Sequence, residues 1–220
     1  MITANDTLIA LAYKHQGNWR RILEALKGKE RPSDYYIDKA KNLSSNAITI
    51  LSPEYPESLK NAPQPPMVIF FDCLAETARL GDTKFAFLTK AKSEYAKGAY
   101  EKVKAKLMLA GFTILEVGIS PIAITATSKL GEYTMRLNPT TASGKNPTQY
   151  VELQKLCATL AQETYVFEAP KRGSNMLSVS FALYAGREIY ALPHPYSDVE
   201  DECNTLISEG ANMISPLELE

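Results

Sequence analysis

Two short segments carry the residue types that grip anions. Ala169-Pro170-Lys171-Arg172-Gly173-Ser174-Asn175 places two cations, a glycine and two hydrogen-bonding side chains ahead of a helix-length stretch, a composition that receives a phosphate well. Thr89-Lys90-Ala91-Lys92-Ser93-Glu94 is also basic and also precedes a helix-length stretch. It has no glycine to let backbone come close to a phosphate, so it would bind through side chains. The first segment reads equally well as an ordinary capped loop, with Ser174 or Asn175 as the helix N-cap.

Other chemistries have less to work with. His15 and His194 are the imidazoles of the chain, and no Gly-x-Ser-x-Gly elbow accompanies them. His15 reads as a surface or interhelix residue, and His194, just after a strand and Pro193, as structural. Cys73, Cys157 and Cys203 are odd in number and far apart, without a Cys-x-x-Cys pair, which points to reduced thiols in a cytosolic setting. The chain has no zinc-type or calcium-type ligand spacing, no Gly-x-Gly-x-x-Gly and no Walker loop, Gly144-Lys145 being an isolated pair. No catalytic metal and no cofactor are expected.

The elements that must position these segments follow from periodicity. Residues 5–42 read as three short helices, with Asp6, Asn18 and Ser33 as N-caps and Gly17, Gly28 and Pro32 as breaks. In the second, Trp19, Ile22, Leu23 and Leu26 form an apolar stripe at i, i+3, i+4, i+7 that has to be buried. The pattern stops at Ser44–Ala47, where a boundary is expected between a small helical domain over 1–46 and a larger domain over 47–220.

In the larger domain a strand-like Ile48–Leu51 comes first. Apolar β-rich runs then follow at Met67–Phe71, Lys84–Leu88, Thr113–Val117, Tyr133–Leu137, Tyr165–Glu168 and Glu188–Leu192. Helix-length segments at about 94–110, 120–129, 147–161, 175–185 and 199–209 lie among or after them, and a short strand is expected at 212–215. That grammar predicts an α/β fold, a Rossmann-like doubly wound, mostly parallel sheet preceded by a small helical domain. Ligands of such sheets bind at the carboxyl ends of the strands, where both basic segments fall.

The 220 residues are 45% hydrophobic and 22% charged with a net charge of -1, which argues against a uniformly basic nucleic-acid binder. The average hides an asymmetry. Lys84–Ala110 has seven lysines against two acids, and Glu188–Glu220 has eight acids without Lys or Arg. One end of the larger domain would attract polyanions and the other repel them; solvated helix faces would give the same counts. No apolar run approaches the roughly 18 to 20 residues of a membrane span. Asp6, without a cation before the short apolar stretch Leu8–Tyr13, argues against a secretory leader.

Two stretches resemble the DNA-processing protein A (DprA, also called Smf) family of bacteria. Ile48-Thr49-Ile50-Leu51-Ser52-Pro53-Glu54-Tyr55-Pro56-Glu57-Ser58-Leu59-Lys60-Asn61, followed by Pro65-Pro66 and an apolar strand, is similar to that family's entry into its extended Rossmann domain. The second stretch is longer. Val166-Phe167-Glu168-Ala169, a Gly-Ser turn, Ala182-Leu183, Gly186-Arg187-Glu188, Ala191-Leu192-Pro193 and Cys203-Asn204-Thr205-Leu206-Ile207-Ser208-Glu209-Gly210-Ala211 follow the family's C-terminal pattern in order and spacing. The helical start sits where members often carry a small sterile-alpha-motif-like domain.

The resemblance implies a cytoplasmic protein that is not an enzyme. It would bind and protect single-stranded DNA and help load the RecA-type recombinase during natural transformation, usually as a homodimer. The DNA-binding residues would be Thr89, Lys90, Lys92, Ser93, Lys155, Lys171, Arg172, Gly173 and Ser174, and the dimer or partner face Asn204, Ile207 and Met213. The middle of the chain departs from the family. Its Val-Gly-Ser-Arg turn is here Leu88-Thr89-Lys90-Ala91, its Ser-Gly-x-Ala-x-Gly-Ile-Asp motif is Glu116-Val117-Gly118-Ile119-Ser120-Pro121-Ile122-Ala123, and its Arg-Asn-Arg is Leu153-Gln154-Lys155. Losing the glycine adds a Cβ where backbone meets phosphate, and losing the arginine removes a bidentate contact; Lys90 and Lys92 restore charge without that geometry. Two other classes stay open: a Rossmann-type pocket for a nucleotide or nucleotide-derived small molecule, and a degenerate scaffold acting through protein contacts.

Overall fold

In the computed structural model, which describes residues 2–72, 80, 83–139, 147–171, 173–195 and 201–215, Thr3 opens α1 (Ala4–Lys14). The Thr3 hydroxyl accepts from the Asp6 N–H at 3.1 Å, and the Asp6 carboxylate accepts from the Thr3 N–H at 2.8 Å. This reciprocal capping box makes Asp6 the third helical residue rather than the expected cap. Asn18 caps α2 (Trp19–Lys27) as expected, its Oδ1 3.1 Å from the Arg21 N–H, and Ser33 precedes α3 (Asp34–Leu43). Between α1 and α2, Gly17 holds φ at +72°, and a Cβ there would lie 2.0 Å from the Leu137 carbonyl oxygen. Only glycine fits that turn.

The chain forms two compact units. The first holds α1–α3, β1 (Ala47–Thr49), α4 (Glu57–Lys60), β2 (Val68–Phe71) and most of β6 (Gly131–Arg136). β2 pairs antiparallel with β1 and with β6. Leu8, Ile9, Leu11, Ile22 and Ile37 of the helices share one core with Val68 and Phe70 of β2. On α2 the buried residues are Ile22 and Ala25, while Leu26, at the end of the apolar stripe, is 37% exposed.

The second unit carries β3 (Phe85–Leu88), α5 (Glu94–Leu109), β4 (Thr113–Val117), β5 (Ile124–Ser128), most of α6 (Pro147–Leu160), β7 (Glu163–Val166), α7 (Ser174–Tyr184), β8 (Glu188–Ala191), α8 (Cys203–Ser208) and β9 (Asn212–Met213). Its strands run in the order β5-β4-β3-β7-β8-β9. They are parallel from β4 through β9, and β5 is antiparallel to β4. All four residues of β3 are buried, as in a parallel strand covered on both faces. α5 lays Ala96, Ala99, Val103 and Leu107 in one core with Ala86, Leu88, Ile114 and Phe167. The α/β architecture expected from the sequence is present, with its parallel ladder in this unit.

Two expectations need correction. The helix expected over 120–129 is instead strand β5: Ile124 and Ala126 are buried while Thr125 and Thr127 are half-buried. Period-two burial and three β-branched residues suit a pleated strand better than a helix. β7 ends at Val166, so Phe167 and Glu168, expected inside the strand, lie in the turn that follows. Among the described residues, no helix is long and apolar enough to cross a membrane.

Candidate nucleic-acid interface

The crossover from β3 through α5 leads to β4 on one side of β3, whereas β7 lies on the other side and continues to β8. The carboxyl ends of β3 and β7 therefore flank the point where the winding direction reverses, the usual ligand position in such sheets. Leu88 is in register with Tyr165, the Thr89 N–H donates to the Tyr165 carbonyl at 2.9 Å, and the Thr89 hydroxyl faces the Phe167 N–H at 3.4 Å. The turns 89–93 and 167–173 are thus neighbours at one rim.

Part of that rim is occupied by the chain itself. The Glu168 carboxylate accepts from the Lys92 N–H at 2.7 Å and the Ser93 N–H at 2.8 Å, filling the start of α5 with an internal anion. The buried Asn175 amide donates to the carbonyls of Lys90 at 3.0 Å and Glu168 at 2.6 Å, stapling one turn to the other. Asn175 is therefore not the N-cap, and neither is Ser174, the first residue of α7. Gly173 is the N-cap. It folds back so that its N–H donates to the Pro170 carbonyl at 2.6 Å, and a Cβ would come within 2.8 Å of the Pro170 ring. The glycine serves close approach of the chain to itself.

What remains open is cationic. Lys90 is half-buried, with its ammonium 4.8 Å from the centre of the Tyr150 ring, a cation–π geometry. Burial first and neighbouring Lys92 second hold the Lys90 ammonium below the usual lysine range. Burial holds the Tyr150 phenol above its ordinary range, with the Ser174 side chain opposing that shift. Lys92 and Ser93 are exposed.

Beside them a cleft of about 300 Å³ is lined by residues 88–92, Lys97, Tyr100, Glu101, Glu116 and Val117. At one wall Glu116 accepts from the Tyr100 hydroxyl and from the Lys104 ammonium, the latter at 2.6 Å. Burial, reinforced by Glu116, keeps the Tyr100 phenol protonated well above its ordinary range.

The other sequence candidates fall elsewhere. Lys155 stands on α6 five residues after Tyr150, about 140° around the helix, and so on a different face from the residue that meets Lys90. Lys171 is exposed and lies 4.0 Å from Glu202. Arg172 and Cys73 lie outside the described residues.

Of the dimer candidates, Met213 is 51% exposed on β9, which ends the strand order of this unit. Ile207 is half-buried, and Asn204 brackets His194, accepting from its N–H at 3.0 Å and donating to its carbonyl at 2.9 Å. His15 approaches Glu30 at 3.7 Å within the first unit. Sequence reading misses Glu168 and Tyr150 as parts of the rim, and it places Asn175 there as a phosphate ligand or N-cap rather than as the staple between the turns. Glu168 was hidden by its assignment to a strand, and Tyr150, an aromatic early in a helix, carries no local signal.

The model of the family described as DNA recombination-mediator protein A matches residues 138–219. No curated protein matches the chain. Among solved structures, DNA processing protein A (DprA) from Streptococcus pneumoniae is similar at a TM-score of 0.63 and 16% identity, covering 99% of this chain and 92% of that one. DNA processing protein A from Helicobacter pylori, described for its single-stranded DNA binding mode, is similar at a TM-score of 0.59 and 12% identity, covering 78% of this chain and 92% of that one. At these identities the structural likeness is one of fold, and the matched segment contains β7, α7, β8 and α8 around the rim. The family model thus matches the C-terminal segment 138–219, and the solved structures share the fold of this chain.

Proposed function

We propose that the chain binds single-stranded DNA along the rim formed by turns 89–93 and 167–173, as a binding protein rather than an enzyme. The observation that carries this reading is the meeting of the two lysine-bearing turns at the carboxyl ends of adjacent strands β3 and β7. Lys90, Lys92 and Ser93 supply side chains at one turn, and Lys171 and Ser174, with Arg172 by its sequence position, supply them at the other, where Gly173 lets the turn fold tightly. Glu168 already occupies the amides of Lys92 and Ser93, so phosphates meet ammonium and hydroxyl groups there rather than backbone. Binding of that kind is electrostatic and falls steeply with salt.

By the family relation, the further role is loading of a RecA-type recombinase in DNA processing and natural transformation, in the cytoplasm. A homodimer would form through the face bearing Asn204, Ile207 and Met213. Titration of a fluorescent oligo-dT strand at about 50 and 200 mM salt tests the DNA reading. Tight binding at low salt that weakens at high salt, with a flatter slope in a Lys90, Lys92, Arg172 triple alanine variant, supports it. No binding near physiological salt overturns it.

The cleft beside Lys90 and Tyr100 favours a second reading. Its volume of about 300 Å³ is at the lower end of small-ligand pockets, with lysines at its rim for a phosphate. A rise in melting temperature with mononucleotides alone, without dependence on strand length, would select a nucleotide-binding protein.

A further inference from the structure

A second polar cluster lies beyond the end of β8, and the DNA reading makes no use of it. The side-chain donor atoms of His194, Asp201 and Cys203 all lie within 4.8 Å of one another. The His194 and Asp201 side chains are 4% and 8% exposed, and Cys203 is fully buried. The sequence carries no hint of the grouping, because the histidine and the Asp-x-Cys pair are seven residues or more apart and meet through the fold.

Each member is held from behind. Asn204 brackets the backbone of residue 194, and the Tyr95 ring stands edge-on to the imidazole at 5.7 Å, its hydroxyl tied to the Pro193 carbonyl at 2.8 Å. Asp201 Oδ2 accepts from the Ala169 N–H at 2.7 Å and Oδ1 from the Cys203 N–H at 2.8 Å. His194 Nε2 lies 2.8 Å from the Phe167 carbonyl oxygen and 3.9 Å from Asp201 Oδ1. Cys203 Sγ lies 3.8 Å from the Val166 carbonyl. One imidazole nitrogen, one carboxylate and one thiol thus converge in a buried space, with a carbonyl at its edge.

This donor set is chemically selective. Calcium and magnesium take oxygen ligands, whereas a sulfur–nitrogen–oxygen set is that of zinc and its neighbours. Tetrahedral bonds of about 2.0–2.3 Å require donors about 3.5 Å apart, so the donors, now within 4.8 Å of one another, would draw together by about 1 Å on binding. We propose that His194, Asp201 and Cys203 form a binding site for a divalent cation of the zinc class. The ion would tie the turn after β8 to the start of α8 and to the end of β7.

The proton balance is definite. The Cys203 S–H bond breaks as the metal–sulfur bond forms, and one proton leaves to solvent per ion bound. Binding through Nε2 breaks its contact with the Phe167 carbonyl and takes the imidazole tautomer that carries its proton on Nδ1. Because the thiol gives up its proton to bind, binding weakens as pH falls.

Cobalt(II) titration of the full chain tests this. One equivalent should bring in thiolate-to-cobalt charge transfer and the visible bands of a tetrahedral ion, both reversed by zinc. His194→Gln and Cys203→Ser should each weaken binding at least tenfold, Cys203→Ser abolishing the charge-transfer band, and His15→Gln should leave the titration unchanged. Should Cys203→Ser fail to fold, protection of Cys203 from alkylation by zinc in the wild-type chain, read by mass spectrometry, gives the same answer. No charge-transfer band, no alkylation protection, or cobalt binding unaffected by His194→Gln would overturn the site.

Discussion

The Glu168 carboxylate holds Ser93 by its backbone, accepting from the Ser93 N–H at 2.8 Å and from the preceding Lys92 N–H at 2.7 Å. A carboxylate from the turn after β7 therefore fixes the backbone of Ser93, the residue whose hydroxyl caps the helix after β3. The two strand ends that frame the rim are locked to each other by an anion belonging to the chain.

Replacing Glu168 by Gln should cost stability at neutral pH and lose that cost in acid. Burial alone would raise the carboxyl's pKa, but hydrogen bonds from the Ser93 hydroxyl and amide and the Lys92 amide outweigh it and hold the group below the ordinary range. A carboxyl lowered in the folded state contributes stability above its unfolded pKa, lost as pH falls through the folded value. Glu168→Gln should be less stable by about 1–2 kcal/mol at pH near 7, with the gap narrowing below the carboxylate range. Urea melts across that pH series check this; a gap independent of pH would show that Glu168 is not held as an anion.

Tyr150 should matter to DNA binding through its ring rather than its hydroxyl. The ring faces the Lys90 ammonium at 4.8 Å, and such contacts are worth about 0.5–1 kcal/mol at partly exposed sites. Tyr150→Ala should weaken oligo-dT binding about two- to fivefold by the same measure, while Tyr150→Phe stays near wild type. Fluorescence anisotropy separates them, and equal loss in both variants would assign the effect to the hydroxyl rather than the ring.

Two glycine substitutions should rank by what the added carbon meets. Gly17→Ala adds Cβ 2.0 Å from the Leu137 carbonyl oxygen in a left-handed turn, whereas Gly173→Ala meets the Pro170 ring at 2.8 Å with φ negative. Overpacking of the milder kind costs about 1–3 kcal/mol, and Gly17→Ala should exceed it. Thermal unfolding of the two variants gives the order, and a Gly17→Ala as stable as Gly173→Ala would contradict it.

The sequence made most of the second unit readable because its signals are local. Thr113–Val117 and the helices starting at 94, 147 and 174 each announce themselves by apolar β-rich or helix-length runs, and the structure places them within a residue or two of the expected bounds. The segment 120–129 was misread because Ile122–Ala126 offers apolar residues to either period, and its β-branched side chains with antiparallel pairing to β4 decide for a strand. At the rim, the two basic turns were legible as cations ahead of helices. That Glu168 would fill the amides of Lys92 and Ser93, or that Tyr150 would reach Lys90, depends on side chains 60 to 76 residues apart, which no local pattern encodes.

Glu116 gives a test of where the nucleic-acid backbone runs. Its carboxylate lines the cleft with Lys90, Lys92 and Lys97 and is engaged by Tyr100 and Lys104. If a phosphate chain passes the mouth of that cleft, Glu116 repels it, and Glu116→Gln removes the repulsion while the amide oxygen still accepts from Tyr100. Oligo-dT affinity should then rise about two- to fivefold at low salt, the effect of one unit charge several ångströms away in a watery setting, and the gain should shrink as salt screens it. Unchanged affinity at every salt would route the strand away from the cleft, along the side of the rim that faces α7. Weaker binding would mean that Glu116 acts by holding Tyr100 and Lys104 in place, and Tyr100→Phe should then show the same loss.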